Sequence, residues 1–298
     1  MKIRFKKAIQ NLAEEDQIQK GRVILNQALT GISQIMLQEN RITGLLFLTG
    51  VFLGSFKMGL AMLIGTGAGI ATARLLKFNT ENINKGLYGF NAALVGVAGI
   101  LFLKSTLLTW LLIVLGASIA TIIQHFFLQQ KIQVFTFPFV LATWGILFLV
   151  NQNFNNLQSE AGFGPVSNSN YFNIGLKGFG QVIFQDKLIS GVLFFIGVAI
   201  SSPVAAVFGI TASISAAIFS LYLPVPFITI QMGLFSFNAV LCAIAFAGMN
   251  LKHVLWTIVA VVISLLISLI MVRHNLPQLT FPFVAASFIT LYIKKWAQ

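Results

Sequence analysis

The chain has 298 residues, 57% of them hydrophobic and only 9% charged, with a mean hydropathy of +0.88. So few charges over this length exclude an ordinary soluble domain, and the apolar runs are too many and too long for a single core. The formal net charge of +12 comes without a basic, aromatic-interleaved patch, so it fits the cytoplasmic loops of a membrane protein and not a nucleic-acid surface.

Residues 1–22 are charged and polar and lack the apolar stretch of a cleavable signal, so an uncleaved cytoplasmic segment is expected. Lys2, Arg4, Phe5, Ile9 and Leu12 suit a short interfacial helix, with a partly ordered tail as the other reading. Residues 23–37 are moderately apolar but interrupted by Asn26, Gln27, Ser33 and Gln34, too polar for a lipid-facing span. Five apolar segments follow, at about 42–56, 57–76, 86–103, 106–128 and 134–150, several of them close to the minimum length for a span.

A polar connector, residues 151–170, holds one acidic residue, Glu160. The pattern then restarts. A polar-interrupted segment at 174–188 precedes apolar runs at about 189–203, 204–222, 228–250, 253–272 and 279–293. The expected division is thus an N-terminal segment 1–22, a first repeat 23–150, the connector 151–170 and a second repeat 171–298.

Three landmarks show that the halves are copies. Gly86-Leu87-Tyr88-Gly89-Phe90-Asn91-Ala92-Ala93-Leu94-Val95-Gly96 recurs 147 residues later as Gly233-Leu234-Phe235-Ser236-Phe237-Asn238-Ala239-Val240-Leu241-Cys242-Ala243, with six of eleven residues identical. Gly31-Ile32-Ser33-Gln34 matches Gly178-Phe179-Gly180-Gln181 at the same offset. Thr136-Phe137-Pro138-Phe139-Val140 returns as Thr280-Phe281-Pro282-Phe283-Val284, 144 residues on. Each copy holds five apolar spans, an odd number, so the second enters the membrane upside down relative to the first. The expected fold is an all-α polytopic membrane protein of two inverted-topology repeats, each a re-entrant half-helix plus five transmembrane helices. With the N-terminus inside, Lys2, Arg4, Lys6, Lys7, Lys20, Arg22, Arg74, Lys77, Lys85, Lys131, Lys252, Lys294 and Lys295 fall on the cytoplasmic side, thirteen of nineteen Lys and Arg. That favours both termini in the cytoplasm and a plasma (inner) membrane protein.

Polar groups at membrane depth face protein or water, because each costs several kcal/mol in hydrocarbon. Gln34 and Gln181 lie at equivalent positions of the two half-helices and point to a cavity; bonding to a neighbouring helix is the plainer reading for either one alone. Gln34 with Leu37, Gln181 with Phe184, Phe90 with Leu94 and Phe237 with Leu241 have spacings that share a helix face. Opposed across a pseudo-symmetric interface, they form a narrow slot with aromatic walls, although ordinary packing explains each Phe/Leu pair by itself. Thr136 and Thr280 each precede a proline by two residues, where the chain bends or starts a helix and leaves carbonyls free beside the hydroxyl. The competing reading is threonine bonding its own helix.

None of Glu14, Glu15, Asp16, Glu39, Glu81, Glu160 and Asp186 falls inside a full span, and His125, His253 and His274 lie at span ends. No catalytic constellation, metal-ligand spacing or phosphate loop stands out, so no enzyme activity, metal or cofactor is expected. Cys242 is alone, which excludes an internal disulfide.

The paired Gly-Phe-Asn stretches, Gly-x-x-Gln openings and Thr-Phe-Pro-Phe motifs resemble the urea transporter family over about residues 25–293. The resemblance implies a homotrimer in lipid, each protomer with its own pore between two inverted halves, passing urea or a similar small amide passively. It implies an oxygen ladder from Gln34, Gln181, Thr136 and Thr280, and a slot walled by Leu37, Phe90, Leu94, Phe184, Phe237 and Leu241. Leu37 stands where the family commonly has an aromatic. Many members also have Asn-Pro after the half-helix, whereas here Asn40 precedes Arg41 and Asp186 precedes Lys187. Two other classes stay open at this point: an ion-coupled secondary transporter of a small polar solute, and an intramembrane enzyme.

Overall fold

The structure is a computed structural model that describes residues 2–159 and 170–296; Glu160 lies outside the described residues. It is all-helical, with no strand among the described residues beyond one isolated bridge, Leu103 to Gln158. Helix α1 (Lys2–Ser33) ends in a short 3-10 turn, Gln34–Met36, closed by Leu37 in the left-handed region at φ 59°. The expected boundary between a charged tail and a half-helix near residue 23 is therefore absent. The segment has no proline, and its isolated Gly21 and Gly31 each cost about 1 kcal/mol, too little to break a long helix.

The first half continues with α2 (Arg41–Gly54), α3 (Phe56–Leu75), the short α4 (Thr80–Asn84), α5 (Phe90–Phe102), α6 (Leu107–Gln129) and α7 (Phe137–Asn153). The second half has α8 (Tyr171–Val182), α9 (Leu188–Ser201), α10 (Pro203–Ser220), the short α11 (Phe227–Gln231), α12 (Phe237–Phe246), α13 (Leu251–Arg273) and α14 (Phe281–Trp296). Among the described residues, α3, α6, α10 and α13 are long and apolar enough to cross a membrane, and they occupy matching places in the two halves.

The segments expected as single spans at 86–103 and 228–250 are each broken. At about 1.5 Å per residue, α5 and α12, with 13 and 10 residues, are only about 20 and 15 Å long. The cause is a turn before each helix, where Gly86 and Gly233 take φ values of +74° and +78°. A Cβ on Gly86 would stand 2.4 Å from the backbone nitrogen of Gly31, and one on Gly233 would stand 2.7 Å from that of Gly178. The two glycine motifs thus press against each other in each half, seating the end of α1 or of α8 against the turn that leads into α5 or α12.

The halves meet along α2 and α9. Thr43 Oγ1 donates to the carbonyl of Gly197 at 2.6 Å, and Ser190 Oγ donates to that of Gly50 at 2.8 Å. The start of each helix lies against the end of the other, so the pair is antiparallel. Thr43 and Ser190 are 147 residues apart, as are Gly50 and Gly197, so each contact is the other with its halves exchanged. Phe47 and Phe194, also 147 apart, stack edge to face between them at 5.2 Å. A second junction joins α7 to the α13–α14 loop, where Trp144 Nε1 donates to the Pro277 carbonyl at 2.9 Å.

Candidate functional site

Phe137-Pro138 and Phe281-Pro282 do not bend a helix: they start α7 and α14, where a missing proline N–H leaves no helical bond unmade. The residues just before each threonine, Phe135 and Leu279, take left-handed φ values of 51° and 46°, which turn the chain sharply into the helix. In each half the asparagine of the Gly-Phe-Asn stretch clamps this turn. Asn91 Oδ1 accepts the Phe139 N–H at 3.1 Å, and its Nδ2 donates to the Phe135 carbonyl at 3.4 Å and to Gln124 Oε1 at 3.2 Å. Asn238 Oδ1 accepts the Phe283 N–H at 3.1 Å, while its Nδ2 donates to the Leu279 carbonyl at 3.5 Å.

The clamped turns bring Thr136 and Thr280 together. Their hydroxyl oxygens are 2.7 Å apart, and both residues are almost completely buried. One hydroxyl donates to the other, leaving lone pairs on both oxygens and one O–H for a further partner. The carbonyls expected to be free beside them are engaged instead: Phe135 and Leu279 bond the asparagines, and Thr136 and Thr280 accept from Val140 and Val284 at 3.1 Å. Neither threonine hydroxyl bonds its own helix; the pairing across the halves replaces that arrangement.

The ends of α1 and α8 differ from the shared helical face expected there. Leu37 N–H donates to the Gln34 carbonyl at 3.0 Å and Phe184 N–H to the Gln181 carbonyl at 3.1 Å, with Leu37 and Phe184 both left-handed at 59° and 56°. Each i, i+3 pair therefore closes a turn, and the second side chain leaves in a new direction. Gln34 Nε2 donates to the Lys85 carbonyl at 3.0 Å, tying the end of α1 to the turn before α5 and leaving its oxygen as an acceptor. Without a following proline, Asn40 still caps α2 through Oδ1, at 2.9 Å from Ile42 N, whereas Lys187 gives α9 no side-chain cap.

Gln181, Phe184 and Phe237 line one cavity of about 460 Å³, together with Met58, Phe102, Ser159, Gln185, Asp186, Leu234 and the loop Leu276 to Leu279. Gln34, Leu37 and Phe90 are not among its lining residues. Phe90 and Leu94 sit on α5, and Phe237 and Leu241 on α12, all inside one core cluster with Phe139 and Phe283. Leu94 and Leu241 are fully buried. Phe184 packs against that cluster, its ring meeting those of Phe102 and Phe139 at 6.4 and 6.1 Å.

The lining is mostly apolar carbon, with the amides of Gln181, Gln185 and Gln278 and one carboxylate, Asp186. Glu39, Glu81 and Asp186 are exposed, Glu81 in an ion pair with Lys85 at 2.6 Å. No cluster of His, Cys, Asp and Glu suited to a metal occurs among the described residues. The amide and hydroxyl oxygens can replace the water bonds of a neutral solute rich in N–H donors.

A family model described as urea transporter matches residues 25–295 of the chain. The chain is 30% identical over 239 residues to "Urea transporter 1" of Rattus norvegicus, a match covering 74% of this chain and 62% of that protein, and the same figures hold for the Mus musculus protein. It is 29% identical over 291 residues to "Urea transporter 1" of Ovis aries, covering 89% of this chain and 76% of that protein. The matched region thus spans less than two thirds of the rat and mouse proteins' length.

Proposed function

Because this chain belongs to the urea transporter family, we propose that it is a passive channel for urea, built between its two halves. The observation that carries the reading is the Thr136–Thr280 hydroxyl pair, two oxygens from equivalent motifs meeting in an apolar interior. Urea is planar and neutral, with four N–H donors and one strong acceptor. In the proposed path Gln34 and Gln181 supply oxygens at the two ends, and the threonines supply them at the centre. Phe90, Leu94, Phe237 and Leu241 wall the slot between, with Leu37 and Phe184 at its mouths. A flat apolar slot admits a plate-shaped solute and strips hydrated ions of water they cannot replace. Other small neutral amides share urea's shape and belong to the same substrate class.

The two halves are read as inverted copies, 23–150 and 171–298, of which the second is turned over in the membrane. The reciprocal, antiparallel contacts of α2 and α9 support this, since a two-fold axis between antiparallel helices must run across them. The charge distribution supports cytoplasmic termini. The homotrimer, one pore per protomer, rests on the family resemblance; native mass spectrometry of the detergent-solubilised protein tests it, with a trimer expected.

Passive flow is tested by urea uptake into proteoliposomes with and without imposed proton or sodium gradients. Uptake is expected to stop at the external concentration in every case. Gradient-dependent accumulation above it would favour an ion-coupled carrier.

A further inference from the structure

A second cavity, of about 550 Å³, opens between α1, the end of α3 and α4, and shares no lining residue with the one around Gln181. Gln27, Arg74, Lys77, Thr80 and Asn84 bring its polar groups, and no carboxylate lines it. Buried Gln27 orders them. Its Oε1 accepts from Arg74 Nη2 at 2.6 Å, and its Nε2 donates to Asn84 Oδ1 at 2.6 Å. Each amide oxygen of this relay thereby takes a donor. What is left over is chiefly donors: the other guanidinium N–H groups of Arg74, the Asn84 Nδ2 and the Lys77 ammonium. Glu81 of α4 is paired with Lys85 instead, and among the described residues neither Arg74 nor Lys77 has an acidic partner. Such a cavity calls for an anion.

The repeat does not need these groups to fold. At 147 residues on, the second half has Ile174, Leu221 and Pro224 in place of Gln27, Arg74 and Lys77. Ile174 is buried there in an apolar cluster with Ala217, Val225 and Ile230. The polar relay and its two cations are thus confined to one half, and on the orientation proposed above they lie at the cytoplasmic face.

The surroundings select what carries the anion. Arg74 lies in the last turn of α3, a helix long and apolar enough to cross a membrane, so the cavity sits at the level of a membrane surface. Val23, Leu75 and Leu76 beside it are exposed and apolar. We propose that this cavity binds the headgroup phosphate of an anionic phospholipid. Arg74 and Lys77 hold the phosphate, and the acyl chains cover the exposed apolar side chains next to it. This site is separate from the urea path and stands or falls without it.

The test is native mass spectrometry of the detergent-solubilised protein, titrated with phosphatidylglycerol, phosphatidylcholine or glycerophosphoglycerol, the anionic headgroup without chains. The parent is expected to bind phosphatidylglycerol more tightly than either of the others. Lys77→Gln should weaken phosphatidylglycerol by roughly fivefold, and Arg74→Gln with Lys77→Gln should weaken it more, with phosphatidylcholine unchanged. Lys77→Gln alone decides the matter if the double variant, which also strips Gln27 of its donor, does not fold. The control is Lys294→Gln with Lys295→Gln, which removes two charges from the last turn of α14 and should leave phosphatidylglycerol binding as in the parent. A parent that binds both lipids alike overturns the proposal, as does a control weakened as much as Lys77→Gln, which would mean diffuse surface charge. Glycerophosphoglycerol bound as tightly as the lipid would make this a site for soluble anions and equally overturn it.

Discussion

Thr136 and Thr280, 144 residues apart in the chain, hold their hydroxyl oxygens 2.7 Å from each other where the halves meet. Neither places itself. Each is delivered by a left-handed residue, a proline-started helix and an asparagine on a different helix.

The asparagine clamps are expected to carry stability as well as position. Asn91→Ala and Asn238→Ala each leave a buried backbone N–H unpaired, a loss of about 1–3 kcal/mol. Asn91→Ala is expected to be the more damaging, because it also frees Gln124 Oε1. Thermal unfolding of purified protein in detergent checks this. Equal melting temperatures for both variants and the parent would remove the clamp from the account.

Gly86→Ala and Gly233→Ala are expected to destabilise by more than about 1 kcal/mol, since a side chain there meets both an unfavourable φ and the backbone of Gly31 or Gly178. Gly145→Ala is the control. Nothing lies within 4 Å of a Cβ at that helical position, so its melting temperature should hold or rise.

The proposed inverted arrangement predicts opposite-side labelling of equivalent loops. Gln130 and His274, both exposed, follow α6 and α13 in the two halves. In a Cys242→Ser background, Gln130→Cys should react with a membrane-impermeant maleimide only from the cytoplasmic side and His274→Cys only from the other. Reaction of both from one side would contradict the inversion.

The paired motifs were legible in sequence because duplication printed each of them twice, and Thr136 and Thr280 could be singled out on that ground alone. What the asparagines do was not legible. Asn91 reaches Phe139 across 48 residues, and no local pattern encodes a bond of that separation. The breaks before α5 and α12 were missed for a related reason. Gly86 is left-handed because Gly31 presses against it, a tertiary contact that hydropathy does not register. The merging of the N-terminal segment into α1 escaped notice because polarity marked a boundary where the helix has no breaker.

The central claim is that urea passes the paired threonine oxygens, and the most direct measurement is stopped-flow urea flux through Thr136→Val and Thr280→Val in proteoliposomes. Valine keeps the shape and removes the oxygen, so a desolvated urea N–H loses its acceptor, at about 1–3 kcal/mol. Each variant is expected to remain folded and to slow urea by roughly 5- to 150-fold. If both fold and conduct at the parent's rate, the threonine pair is a structural contact and the path runs elsewhere.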